Sequence, residues 1–135
     1  MYITNSPEVA SIADGAGVDR IFIDLEQYGK EKRQKNWDSV KSKHSISDIP
    51  KVKSAVKNAQ IFVRTDPIFD GFSDELEGVL ACEPDVVMLP YFKTVREVET
   101  FIKAVDGRAT TSLLLETREA AEQIDDIISV GGLDE

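Results

Sequence analysis

The sequence predicts an α/β protein built on one parallel sheet, and three observations carry the prediction. Short apolar runs rich in β-branched and aromatic residues recur along the chain, among them Ile21-Phe22-Ile23, Ile61-Phe62-Val63 and Val86-Val87-Met88-Leu89. They are too continuously apolar for a sheet with one wet face and suit strands buried on both sides. Each is followed by a segment with helical periodicity, and caps and turns separate the two kinds of segment, so the order reads as repeated βα units.

Tyr2-Ile3-Thr4 is a short strand closed by Asn5, and Ser6-Pro7 has the form of an N-cap with proline in the first turn. Val9, Ile12, Ala13 and Ala16 give the first helix its stripe, and Gly15 and Gly17 end it before the second strand. That strand, Ile21 to Ile23, breaks off into Asp24, Glu26 and Gln27. From Tyr28 through Lys43 the chain is polar and lacks periodicity, which predicts a long loop with some helix, a kind of segment that often carries function.

Ser47 or Asp48 caps the next helix, with Pro50 in its first turn and Val52, Ala55, Val56 and Ala59 as its apolar stripe. The third strand ends in Arg64, and Thr65-Asp66-Pro67 and Asp70-Gly71 are turn chemistry. Ser73 is a candidate cap, with Asp74, Glu75 and Glu77 where the helix dipole favours them and Leu76, Val79 and Leu80 inward. The fourth strand stops at Pro90, and Thr94 with Glu97 forms a capping box for a helix carrying Val95, Val98, Phe101, Ile102 and Val105, stopped by Gly107. Leu113-Leu114-Leu115 is the fifth strand, ending in Glu116. Thr117 caps a last helix with Ala120, Ile124, Ile127 and Ile128, and Gly131 to Glu135 reads as the approach to another strand.

Composition narrows the function classes. With 25 acids against 16 Lys and Arg, the net charge of -9 disfavours a phosphate-backbone partner and leaves no basic stripe for nucleic acid. Cys82 is the single cysteine, placed for packing rather than chemistry, and a reducing cytoplasm is the expected compartment. No run of about 18 apolar residues occurs, and the N-terminus lacks a basic and apolar leader, so neither membrane insertion nor secretion is expected.

Two architectures accept the βα order: an open five-stranded sheet of flavodoxin type, favoured by length, and part of an eightfold TIM barrel, which typically needs about 250 residues. The charges at the strand ends favour the barrel. Asp24 and Glu26, Arg64, and Glu116 all follow carboxyl ends, where parallel α/β folds build their sites. Two carboxylates and a guanidinium there suit a hard divalent cation and a donor for a substrate carboxylate or developing oxyanion. An ion pair of Arg64 with Glu26 or Glu116, and a helix-entry role for Glu116, are the structural alternatives. His44, the single histidine, has the pKa range of a base but also suits a solvated loop. Lys30 and Arg33 could contact an anion or form a wet face; Lys93 lacks any neighbour that would make it a Schiff-base lysine.

These segments resemble the HpcH/HpaI aldolase and citrate lyase family of divalent-metal-dependent carbon–carbon lyases. AGVDRIFIDLEQYGKEKRQ resembles the family's glycine-led strand ending in D-x-E, IFVRTDP the arginine strand, PDVVMLPYFKTVREVETFIKAV the strand ending in proline, and LLLETREAAEQI the strand with a metal-ligand glutamate. The resemblance implies a TIM barrel, Mg²⁺ or Mn²⁺ as cofactor, and a pyruvate-like 2-oxo acid or a citrate- or malate-type carboxylate as substrate. It makes Glu116 a metal ligand, Arg64 the group that binds substrate and the enolate oxygen, and Glu26 an acid near the metal's water shell. A homo-oligomer is expected.

Two departures stand out. Gln27 occupies the place of a family Asp or His, which turns attention to His44 or a metal-bound water as the base. The family's second metal-ligand aspartate follows the next strand, beyond Glu135, so the chain corresponds to five βα units of a barrel, and by itself is expected to be inactive. In a complete chain, Arg64→Ala is expected to lower turnover strongly with little loss of stability. The competing readings are a noncatalytic flavodoxin-like binding or signalling module, in which the first strand would neighbour the third, and a self-associating half-barrel.

Overall fold

Strand side chains alternate between the two faces of a sheet, and here both faces have something to bury. The computed structural model describes residues 1–27 and 43–135. Its elements are β1 (Tyr2–Ile3), α1 (Pro7–Gly15), β2 (Arg20–Asp24), α2 (Asp48–Ala55), β3 (Gln60–Arg64), α3 (Phe72–Leu80), β4 (Val86–Leu89), α4 (Val95–Val105), β5 (Thr110–Leu113), α5 (Arg118–Ala121) and α6 (Ile124–Ile128). Ile21, Ile23, Ile61, Val63, Val87 and Leu89 belong to the core shared with the helices. The alternate positions form a second cluster of Phe22, Phe62 and Val86, with Met88 against it, in which the rings of Phe22 and Phe62 meet edge to face at 5.2 Å.

All neighbouring strands pair in parallel, in the order β1-β2-β3-β4-β5. Sequential order is what a barrel requires, and it excludes the flavodoxin alternative, because β1 pairs with β2 and not with β3. At the far edge, Leu113 N–H donates to Glu135 O at 2.9 Å and Glu135 N–H to Thr111 O at 3.1 Å, so the predicted approach to a further strand pairs along β5. Arg20 at the start of β2 reaches the Glu135 carboxylate through two hydrogen bonds of 2.8 and 3.0 Å.

The α4 helix is as predicted. Thr94 and Glu97 form a reciprocal capping box, Val98, Phe101 and Val105 are fully buried, and the chain leaves through Asp106 and Gly107 in the left-handed region at φ 50° and 69°. Each such buried side chain contributes about 1.5–3 kcal/mol by leaving water.

Other elements differ from expectation. In α1 the buried positions are Ala10, Ala13 and Asp14, while Val9 and Ile12 face outward. The face is chosen by Asp14, whose carboxylate accepts the backbone N–H groups of Lys57, Asn58 and Ala59 at 2.9, 3.0 and 2.7 Å and so fastens the turn before β3. The α2 helix buries Ile49 and Val52 and ends at Ala55, and Ser47 makes no side-chain cap. Gly71, not Ser73, is the N-cap residue of α3. β5 lies at Thr110–Leu113, earlier than the leucine run; Thr111 and Ser112 are buried and Leu115 is exposed. The last helix is broken into α5 and α6, burying Ala120 and Ile127 and leaving Ile128 exposed. The loop predicted from Tyr28 through Lys43 lies, except for Lys43, outside the described residues, and Lys30 and Arg33 with it.

Candidate active site

β2 and β3 repeat one pattern, Ile-Phe-Ile-Asp and Ile-Phe-Val-Arg, and they pair in register. Ile21 lies beside Ile61, Phe22 beside Phe62, and therefore Asp24 beside Arg64. Neighbouring residues on one face of parallel strands stand about 4.8 Å apart, close enough for a carboxylate to grip a guanidinium. Arg64 Nε donates to Asp24 Oδ1 at 2.9 Å and Arg64 Nη2 to Asp24 Oδ2 at 2.8 Å, a two-pronged pair that fixes the plane of the guanidinium.

Glu26 closes on the same group, with Oε2 3.3 Å from Arg64 Nη2, and its side chain is almost fully buried. The guanidinium carbon stands 5.5 Å from the centre of the Phe22 ring, so an aromatic face supports the cation from below. Burial by itself would lower the Arg64 pKa. The hydrogen bonds to Asp24, with the negative charges of Asp24, Glu26 and Glu116, outweigh it and hold the value above that of an ordinary arginine. Glu116 thus acts on the same cation from beyond the end of β5.

Glu116 is exposed, and its Oε1 accepts the backbone N–H of Tyr91 at 3.1 Å. Tyr91 follows β4 in the left-handed region, at φ 51°, a conformation that costs a side chain of its size free energy and is typical of sites where the backbone must be aimed. Thr117, buried next to Glu116, donates to Phe92 O at 2.6 Å and accepts Ala120 N–H at 3.2 Å. The loops after β4 and β5 are tied together at this point.

His44 is buried, not solvated, at 6% exposure. The segment before α2 is anchored on Asp48, which accepts from Asn5, Ser45 and Lys51. Burial raises the Asp48 pKa, and these hydrogen bonds overcome it and bring the value to about 2. So held, His44 Nδ1 accepts the backbone N–H of Asp24 at 2.9 Å. The neutral ring then carries its proton on Nε2.

Arg64, Glu26 and Glu116, far apart in sequence, therefore act on one another at the carboxyl ends of the sheet, and His44 is fastened to the backbone of the same strand end. The family model of HpcH/HpaI aldolase/citrate lyase matches residues 1–135. The chain belongs to the HpcH/HpaI aldolase/citrate lyase family.

Solved structures agree on the fold. The chain is similar to an HpcH/HpaI aldolase/citrate lyase family protein from Burkholderia cenocepacia J2315, with a TM-score of 0.77 at 12% identity, covering 98% of this chain and 60% of that one. The HpcH/HpaI aldolase from Desulfitobacterium hafniense DCB-2 gives 0.72 at 15% identity, with 99% and 57% covered. The citrate synthase SbnG gives 0.74 at 17% identity, again with 99% and 57% covered. The chain thus spans less than two thirds of the length of these family barrels. A comparison with curated proteins gives no match.

Within the family frame, Glu116 fits a hard cation: it is an exposed carboxylate, oriented by a backbone N–H, at the open end of the sheet. Among the described residues no three His, Cys, Asp or Glu side chains form a metal cage. Mg²⁺ and Mn²⁺ tolerate this, since such ions are held through one or two carboxylates and keep several waters or substrate oxygens. Lys93 is half exposed and lies 3.9 Å from Glu119, with none of the desolvation an amine nucleophile needs. Among the described residues no helix is long and apolar enough to cross a membrane.

Asp24 was among the strand-end charges read from the sequence, but its role as the chief partner of Arg64 was not. Its signal was present in the matched Ile-Phe-Ile-Asp and Ile-Phe-Val-Arg runs, which become adjacent only once the two strands are known to pair in register. Asp66 and Glu75 are two more, drawn to the end of β2 by Gln27 N–H, which donates to Asp66 Oδ1 at 2.6 Å, and by Asp66 N–H, which donates to Glu75 Oε1 at 3.0 Å.

Proposed function

We propose that the chain supplies one part of a divalent-metal-dependent carbon–carbon lyase, a class II aldolase acting on a pyruvate-like 2-oxo acid or a citrate- or malate-type substrate. The observation that carries the reading is the Arg64 guanidinium, fixed in plane by Asp24 and Glu26 at the carboxyl ends of β2 and β3 with the charge of Glu116 acting on it. A cation so oriented, at the mouth of a parallel barrel, is suited to a carboxylate and to the negative charge that grows on a 2-oxo acid as its carbon–carbon bond breaks.

Mg²⁺ or Mn²⁺, held by Glu116, would supply Lewis-acid polarisation of the keto oxygen. Arg64 binds the substrate and offsets the charge of the enolate, without having to move, because Asp24 has already set its orientation. Glu26, beside Arg64, would be an acid near the water shell of such a cation. Cleavage requires the distal hydroxyl to lose its proton, and His44 is the candidate for that step. It can act as a base through Nδ1 only after giving up the Asp24 N–H. A cytoplasmic homo-oligomer is the proposed setting, with the remaining strands of the barrel completing the cation's ligands.

The test is pyruvate release from a 4-hydroxy-2-oxo acid by a polypeptide carrying the complete barrel, with Mg²⁺, Mn²⁺ or EDTA. Release should need the metal and fall strongly in Arg64→Lys. Metal-independent release, or release unchanged by that substitution, would remove the proposal, and so would activity of the 135 residues alone.

A further inference from the structure

A pocket of about 300 Å³ opens beside the Arg64 centre, lined by Leu25, Gln27, His44, Asp66, Phe69 and Glu75 among others. Leu25 belongs to the core between sheet and helices, so the pocket reaches that core at the end of β2. Glu75, in the first turn of α3, is its unusual member. Oε1 accepts the Asp66 N–H, but Oε2 is shut off from solvent and has no hydrogen-bond partner among the described residues. A carboxylate with a buried, unsatisfied oxygen is costly, whereas the neutral acid loses much less on burial.

The bonds that leave Glu75 lead to the site. Glu75 holds Asp66 by its backbone, the Asp66 carboxylate holds Gln27 by its backbone at 2.6 Å, and Gln27 adjoins Glu26, which faces Arg64. We propose that Glu75 is a positioning residue for the Arg64–Glu26 centre, acting through Asp66 and Gln27 on the tip of β2, and that it positions that tip differently as an acid and as a carboxylate.

As an acid, Glu75 accepts the Asp66 N–H without setting a second negative charge beside the Asp66 carboxylate. As a carboxylate it binds the Asp66 N–H more strongly, but it repels the Asp66 carboxylate and seeks water for Oε2, and these two effects pull on the Asp66–Gln27 bond. Burial, opposed by the Asp66 N–H and reinforced by the Asp66 charge, pushes the Glu75 pKa up to about 7, so the exchange falls near neutrality. Among the described residues, the other titratable groups lining the pocket are His44, from the segment ahead of α2, and Asp66, from the loop after β3. Asp66 carries the relay, and His44 is the group from which Glu75 must be told apart.

The inference rests on reading the Arg64 centre as the site, but its test reads the relay itself. Backbone amide spectra of the 135-residue chain are followed between about pH 5 and about pH 8.5. The Gln27 and Asp66 amides should shift together, with one midpoint near 7 in the unaltered chain. In Glu75→Gln, which keeps the acceptor and removes the charge, the shared titration should vanish; in His44→Gln it should persist. A Gln27 amide that does not titrate, that still titrates in Glu75→Gln, or that stops in His44→Gln would overturn the proposal. Should Glu75→Gln not fold, the side-chain carboxyl carbon of Glu75 in the unaltered chain decides: a midpoint below about 5.5, near the ordinary glutamate value, refutes it. An intact relay in a barrel that releases no pyruvate would remove the lyase reading and leave this one standing.

Discussion

Replacing Arg64 with alanine strips two carboxylates of their cation at once. The Asp24 and Glu26 side chains are 10% and 5% exposed and that of Arg64 is 18%. Removing one partner of a buried pair typically costs about 3–5 kcal/mol, because the other charge is left uncompensated. Two carboxylates are stranded here, but they stand at the open end of a sheet where water can reach them once the guanidinium is gone. The expected loss is therefore about 2–3 kcal/mol. That differs from the small loss the sequence alone suggested, so Arg64→Ala is expected to lower stability together with the proposed turnover.

The assay is urea unfolding at pH 7, comparing midpoints at constant slope. If the stranded charge is the cause, Asp24→Asn added to Arg64→Ala should restore about 1 kcal/mol, since a neutral amide is less costly to leave without a cation. Arg64→Lys should fall between the unaltered chain and alanine, keeping the charge but losing the fork. An Arg64→Ala chain within about 0.5 kcal/mol of the original, or a double variant that loses the sum of the two single losses, would refute the reasoning.

Glu75 makes stability depend on pH with a definite sign. Its pKa is raised from 4.5 to about 7 in the folded chain, so its contribution is fully present below about 4.5 and lost as pH rises through about 7. Discounted for solvent screening, the fall relative to Glu75→Gln should be about 1–2 kcal/mol in urea midpoints taken across that window. Thr94→Ala removes one half of the α4 capping box and should cost about 1 kcal/mol by the same measurement. Thr117→Val leaves the Phe92 carbonyl and the Ala120 N–H without their partner. It should cost about 1–3 kcal/mol and, on the proposed role of the preceding Glu116 as a metal ligand, weaken Mn²⁺ binding followed by water-proton relaxation.

Local chemistry was legible wherever one signal ruled. Ser6 with Pro7, the Thr94–Glu97 box and the apolar runs at residues 21, 61 and 86 each placed an element, because caps and continuous β-branched runs act within a few residues. Elements that answer to distant partners were misplaced. Thr111 is in β5 by pairing with Val87 of β4, and its hydroxyl bonds Gly132 and Asp134, partners that the Leu113–Leu115 run outshone. α1 turns Asp14 inward to hold a turn more than forty residues away, against the hydrophobic pattern of Val9 and Ile12. The charged residues of the candidate site were legible as charges at strand ends. Asp24 as the chief partner of Arg64 was not, since that follows from register, and neither was the burial of His44, which follows from the ties on Asp48.

The matched runs in β2 and β3 give the ion pair a direction. Asp24 and Arg64 occupy equivalent rungs, so exchanging the two residues would preserve their pairing and leave the local charge unchanged. It would also carry the cation one strand, about 4.8 Å, away from β5 and the glutamate beyond it. A parallel sheet is in this respect a ruler. The strand that bears the positive group sets its distance from Glu116, and with it how strongly the glutamate's charge acts on the guanidinium.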